Sequence, residues 1–346
     1  MSSVPSPRMS NFFHRHPAAR NVLLAGVLLL PLFAASGYQL LKLSSLAIYA
    51  LALLGIVLLT GFVGQISLGQ GAFFAFGGYS AAVLIASFGL PYWASIVPAA
   101  ALCFVFGYLF GIPAIRLSTH HLALATFGLA MAVPPLIRYK VFAPWTGGVQ
   151  GIVLDKPKAP FGLPLSPDQW LYALTICVVL LCFAGAAQLV RGRLGRAMRA
   201  ARDNPVAAAA MGVDVARIKC IAFGLSALIT GVAGACSAVV TQFVSPDSYD
   251  VYLSLYMLVG AIVGGLYSLW GAVLGAIVIE FLPTLAEHIS KTGTSAVYGA
   301  MLIVVVFLAP TGVTGTIGRL ADKVRERTAR KSAPGASAPA VASPAE

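Results

Sequence analysis

Few residues in this chain carry groups that could do chemistry, and their placement restricts what that chemistry could be. Glu280 is the one acidic residue near the middle of an apolar stretch, with Glu287, His288 and Lys291 toward the end of the same stretch. An ionisable group at a bilayer centre costs roughly 2.5–3.5 kcal/mol on insertion scales, so Glu280 is a functional candidate by default. Ion-coupled carriage calls for several buried carboxylates or for ion-binding broken helices, and a single Glu favours a structural role instead. Gln65, Ser67, Gln70 and Tyr79 place polar groups in otherwise apolar sequence, where they are expected to face a bundle interior and line a solute path. The adjacent His120 and His121 suit interfacial anchoring better than metal binding. The five cysteines (Cys103, Cys177, Cys182, Cys220, Cys236) show no metal-ligand spacing and read as small hydrophobes. No GxxxxGK[ST], HExxH or GxSxG pattern occurs, so P-loop ATP hydrolysis is not expected of this chain. No convergent His, Asp, Glu and Ser constellation supports a membrane-embedded enzyme.

The densest signal is the run Arg191 to Lys219, "RGRLGRAMRAARDNPVAAAAMGVDVARIK". Leu194 to Arg202 reads as a basic amphipathic turn or two. Asn204 is an N-cap, Pro205 suits the first helical position, Val206 to Met211 form a short Ala-rich helix, and Gly212 fits a left-handed C′ position. Asp214 can cap the next helix. Retention signals alone need no caps, so this reads as a compact helix-turn-helix for docking a partner. Small Ala side chains would enter a groove, with Arg196, Arg199 and Arg202 at its rim; a basic helix lying on anionic lipid is the alternative.

The elements that must hold these residues are membrane helices. The chain is 59% hydrophobic and 10% charged, against roughly 45–50% and 25% in soluble domains. A net charge of +12 invites a nucleic-acid reading, but the Lys and Arg cluster beside apolar spans, as topology charges do. Apolar stretches of about 20 residues lie near 21–40, 43–63, 66–89, 93–115, 120–137, 170–190, 219–244, 251–268, 270–289 and 295–310. An uncleaved first helix is expected rather than a signal peptide. With the N-terminus inside, seventeen Lys and Arg fall on the inner side and six on the outer, as the positive-inside rule requires. The expectation is an all-α integral membrane protein of about ten transmembrane helices (eight to ten), with both termini cytoplasmic. Gly64, Gly69, Gly71, Gly77 and Gly78 crowd the third span, and Gly260, Gly264, Gly265, Gly271 and Gly275 surround the ninth. These allow close packing, and also short or broken helices along a polar path. The tail after Lys331, "SAPGASAPAVASPAE", lacks the large apolar residues needed to pack.

Several motifs in order resemble one family. They are "GQISLGQGAFFAFGGYSAA" from Gly64, "TGGVQGI" from Thr146, "GRAMRAARDNPVAAAAMGVDVARIKCIAF" from Gly195, "GGLYSLWGAVLGA" from Gly264 and "APTGVTG" from Ala309. Together they resemble the branched-chain amino acid ABC transporter permeases of the LivM type. The resemblance implies a transmembrane permease domain at 21–315, a cytoplasmic N-terminal segment at 1–20 and a cytoplasmic basic segment and tail at 316–346. It implies the bacterial inner membrane, a homologous second permease, two ATP-binding subunits that use the ATP, and a periplasmic solute-binding protein. No cofactor on this chain and no nucleic acid are implied. The coupling loop would be 191–219, with Arg196, Arg199, Arg202, Asp203, Asn204, Pro205, Ala209 and Gly212 at the ATPase. The solute path would involve Gly64, Gln65, Ser67, Gln70, Tyr79, Glu280 and the outward-facing Thr146, Gly147 and Gly148. The chain departs from the family pattern at Ala209, where Glu is frequent, at Ser118 to His121, and at Tyr267, where Gly is usual. The alternative is a self-contained secondary transporter or channel.

Overall fold

The computed structural model describes residues 36–115, 117, 119–157, 166–289, 299–300, 304 and 312–316. Most of the expected first span, the last span and both terminal segments lie outside these residues. Among the described residues the chain is helical apart from one two-stranded pairing. The elements are α1 (Gly37–Ile56), continued by a π-helical turn at Val57–Gly61, then α2 (Gln70–Ala86), α3 (Tyr92–Ala114), α4 (Thr119–Arg138), α5 (Ala143–Thr146) and β1 (Ile152–Val153). They continue with α6 (Pro167–Arg191), α7 (Arg193–Asp203), α8 (Pro205–Ala210), α9 (Val215–Thr241), β2 (Phe243–Val244), a 3₁₀ turn at Pro246–Tyr249, α10 (Val251–Gly264) and α11 (Leu269–Ile289).

Among the described residues five helices are long and apolar enough to cross a membrane: Gly37–Gly61, Tyr92–Ala114, His120–Arg138, Pro167–Arg191 and Val215–Thr241. Helix α9 is the axis of the bundle, packed against α1, α2 and α3. Its sequence explains this position, because small residues recur along it and let neighbouring backbones approach. At the α2 crossing a Cβ on Gly77 would overlap the Gly231 backbone, and a Cβ on Gly231 would run into Cys103 of α3. By contrast, α3 and α4 leave large apolar side chains such as Val97, Leu109 and Leu124 exposed, as helices facing lipid or another membrane subunit do.

Two expected boundaries are corrected. The break expected between 40 and 43 does not exist, since α1 runs unbroken from Gly37. The Gln39 side chain accepts from the Ser36 N–H at 3.0 Å, which starts the helix upstream. Lys42 is tolerated near that end because its ammonium lies 5.4 Å from the Tyr38 ring centroid. The helix expected from residue 66 starts instead at Gln70. Gly64 has φ +76, a conformation that ends the helical run from α1, and residues 64–69 run as irregular backbone.

Helices α2 and α10, of 17 and 14 residues, fall short of the roughly 20 needed to span a bilayer. Each follows a non-α-helical connection: irregular backbone at 64–69, and at 242–250 a stretch that holds β2 and the 3₁₀ turn. Irregular backbone at membrane depth is tolerated only where protein buries it or where it lines a cavity. These two broken spans frame the candidate site.

Candidate functional site

The N-terminus of α2 would leave several N–H groups without partners in an apolar medium. Side chains from other helices satisfy them. Thr126 Oγ1 on α4 accepts from Leu68 N at 2.9 Å, and Ser254 Oγ on α10 accepts from Gly71 N at 2.9 Å. Below them Gln70, fully buried, donates to Ser226 Oγ at 2.9 Å and accepts from Thr230 Oγ1 at 2.9 Å. Ser226 Oγ in turn donates to Gly55 O at 2.7 Å. One glutamine therefore ties α2 to α9 and, through Ser226, to α1. Ser67 Oγ accepts from Gly69 N at 3.3 Å. Gln65 is held by its backbone, its carbonyl accepting from Thr60 Oγ1 at 3.1 Å. The Gln65 Oε1 atom is buried with no hydrogen-bond partner among the described residues, an acceptor aimed into the broken-helix region.

Farther along α2 the Tyr79 ring packs 5.8 Å from that of Tyr249, and its hydroxyl is likewise buried without a partner among the described residues. Tyr249 is 5% exposed, and burial pushes its phenol well above the usual range, so it stays a neutral hydroxyl. Beside this pair Arg138, at the end of α4, forms an ion pair with Asp247 of the 3₁₀ turn. An open cavity of about 340 Å³ lies there, with Met131, Pro134, Arg138, Asp247, Asp250 and Val251 in its wall. Both charged side chains keep water access, at 41% and 73% exposure, so the cavity offers a cation and an anion next to apolar surface.

The candidate residues do not converge on one pocket. Gly64, Gln65, Ser67 and Gln70 share the first break, and Tyr79 sits near the Arg138 cavity. Thr146 donates from Oγ1 to Ile137 O at 2.9 Å and to Phe142 O at 3.0 Å. Gly147 and Gly148 follow with φ +71 and +57. Their loop is pinned by the antiparallel pairing of Ile152 with Val244 and Val153 with Phe243. Glu280 lies apart on α11, which packs chiefly against α1 and α10, and its charge faces Lys42 and Tyr49 of α1.

At the opposite end of the bundle α7 and α8 form a hairpin. Asn204 Oδ1 accepts from Val206 N at 3.1 Å and Ala207 N at 3.0 Å, with Pro205 opening α8. Gly212 has φ +84, and Asp214 Oδ1 accepts from Arg217 N at 3.0 Å to start α9. Helix α8 buries Ala208 and exposes Ala207, Ala209 and Ala210 between Val206 (78% exposed) and Met211 (85%). Arg196 and Arg199 turn back to the last carbonyls of α6, those of Arg191 and Val190, at 3.3 and 3.4 Å. Arg202 reaches Gly61 O at 2.7 Å.

The model of the family described as "branched-chain amino acid transport system / permease component" matches residues 40–306, a range that takes in both breaks and the hairpin. This chain belongs to that family. It is 29% identical over 283 residues to the high-affinity branched-chain amino acid transport system permease protein LivM of Escherichia coli K12, over 75% of this chain and 66% of that protein. The corresponding LivM of Salmonella typhimurium is 28% identical over the same shares. The Escherichia coli K12 permease protein LivH is 22% identical, over 77% of this chain and 91% of its own length. The chain thus spans 66% of the length of these two LivM relatives. No solved structure matches it.

In this permease-family chain several site residues escaped the sequence reading. Thr126, Ser226, Thr230 and Ser254 are polar residues in apolar spans, so the rule that singled out Gln70 could have found them. The Arg138–Asp247 pair joins positions 109 residues apart and gives no local signal.

Proposed function

We propose that this chain is the transmembrane permease subunit of an ATP-driven importer for branched-chain or related amino acids. It forms half of the translocation pathway and is energised by separate ATP-binding subunits. The observation that carries the reading is the capped α7–α8 hairpin, which presents a short, exposed, small-residue helix at the bundle end where both broken spans terminate. Membership of the permease family supports it, and so does the naming of its relatives as branched-chain amino acid permeases. The full arrangement is ten spans in a bacterial inner membrane, with both termini and residues 191–219 on the cytoplasmic side. The partners are a homologous second permease, two ATPases gripping Val206 to Met211, and a periplasmic solute-binding protein above the Arg138 cavity. Glu280, turned toward α1, gives an ion-coupled carrier little support.

The test is purification of the chain with its co-expressed partners from mild detergent, followed by reconstitution. ATP-dependent uptake of labelled leucine, lost when Asn204 to Gly212 is replaced by a flexible linker, is the expected result. Uptake by this chain alone, driven by an ion gradient, would overturn the reading.

A further inference from the structure

Arg202 is the penultimate residue of α7, three residues before α8 begins, yet its side chain leaves the exposed rim of the hairpin and enters the membrane bundle. Its Nη1 donates to Gly61 O at 2.7 Å, an end carbonyl of the π turn that the helix itself leaves unsatisfied. The same guanidinium lies 5.3 Å from the ring centroid of Tyr267. Tyr267 stands in the turn between α10 and α11, just past Gly265 (φ +112), where α10 ends. The stem also packs on the first break, since a Cβ on Gly64 would come within 2.8 Å of Arg202 Cγ. The end of the π turn also touches the α10–α11 turn, because a Cβ on Gly61 would overlap Leu266 O. Asp203 Oδ1 accepts from Nε at 2.9 Å and from Nη2 at 2.8 Å, but at 66% exposure that pair contributes little. A planar guanidinium can donate along its edge while an aromatic ring covers its face; an ammonium cannot do both in this geometry.

We propose that Arg202 and Tyr267 form the contact through which movement of the α7–α8 hairpin is passed to both broken spans. Arg202 is then a positioning residue: it touches neither solute nor nucleotide, and it couples partner binding at α8 to the segments 61–69 and 264–268. The inference rests on the permease reading for its driving force, but half of its test does not.

The first arm measures amide hydrogen exchange on the purified chain in detergent. With Tyr267→Leu or Arg202→Gln, exchange at residues 62–69 and 265–268 should quicken about two- to fivefold. Quickening confined to 193–211 would mean a passive tether of the hairpin and would overturn the inference, as would no change. The second arm reads uptake per ATP hydrolysed in the reconstituted complex. Tyr267→Leu should lower that ratio about tenfold while hydrolysis persists. Tyr267→Phe, which keeps the ring face, should hold it at the wild-type level. Equal loss in the Leu and Phe variants, or a proportional fall of uptake and hydrolysis, would overturn it. Tyr267 is 75% exposed, so its replacement removes no core packing. Should Tyr267→Leu fail to accumulate, Arg202→Gln read in the same two ways decides. A wild-type complex without ATP-dependent uptake would sink the permease reading and leave the exchange arm to judge the contact.

Discussion

Gln70 shows how one side chain can carry a broken span. Both ends of its amide are used, and both partners sit on α9. Replacing it with Leu leaves Thr230 without its acceptor and Ser226 without its donor, in a medium that supplies no water. Interhelical hydrogen bonds in membranes are each worth about 0.6 kcal/mol and at most about 1.7, so Gln70→Leu should cost about 1–2 kcal/mol. Unfolding in mixed micelles would measure it, and an unchanged midpoint would contradict it. Asn204 works in water, where its carboxamide satisfies two N–H groups at the start of α8. Asn204→Ala should cost about 1 kcal/mol of local stability, read as faster exchange at Val206 and Ala207. Asn204→Asp should restore protection, since a carboxylate accepts the same bonds. The Arg138–Asp247 pair gives a third expectation. Swapping the two charges together should retain more uptake than either single reversal, because a like-charge pair beside the cavity repels and a swapped pair does not.

At the scale of elements, α9 meets α2 and α3 by close approach of backbones. Gly231→Leu would push side-chain atoms toward Cys103 and the α2 backbone, an overpacking that costs about 1–3 kcal/mol or more. Lower membrane abundance and a lower thermal midpoint should follow, whereas the same change at Gly185, where nothing lies within 4 Å, should be neutral. What the sequence could reveal about elements depended on the range of the determining contact. The α7–α8 hairpin was readable because its caps join residues two or three apart. The start of α1 lies upstream of the expected residue 43, and nothing in composition says that Tyr38 lies under the Lys42 ammonium. The short reach of α2 was partly readable from its glycines. The partners that make the break tolerable, Thr126 and Ser254, lie 58 and 183 residues from the groups they satisfy. Arg202 was readable as a basic residue near a docking helix. Its turn inward to a carbonyl 141 residues away was not, since only the folded bundle brings the two together.

At the scale of the whole molecule, a central helix of small residues surrounded by α1, α2 and α3 leaves α3 and α4 with broad apolar faces. These faces need lipid or a second permease, and the chain should precipitate on detergent removal unless either is supplied. The tail beyond Lys331 lacks large apolar residues, so truncation after Lys331 should leave uptake unchanged at equal expression. A loss at equal abundance would assign the tail a role.

The bond between Gln70 and Ser226 also constrains how the protein is made. The two residues are 156 positions apart. At about 5–20 residues per second, α2 must therefore wait about 8–30 s for the helix that completes it. Throughout that interval a helix too short to span the bilayer carries an unpaired amide in a greasy setting. The nascent chain must be sheltered until α9 emerges, by the insertion machinery or at its boundary with lipid. Chains stalled before Ser226 should be degraded far faster than those stalled after Thr241, which makes the birth of α9 the point at which the membrane accepts this protein.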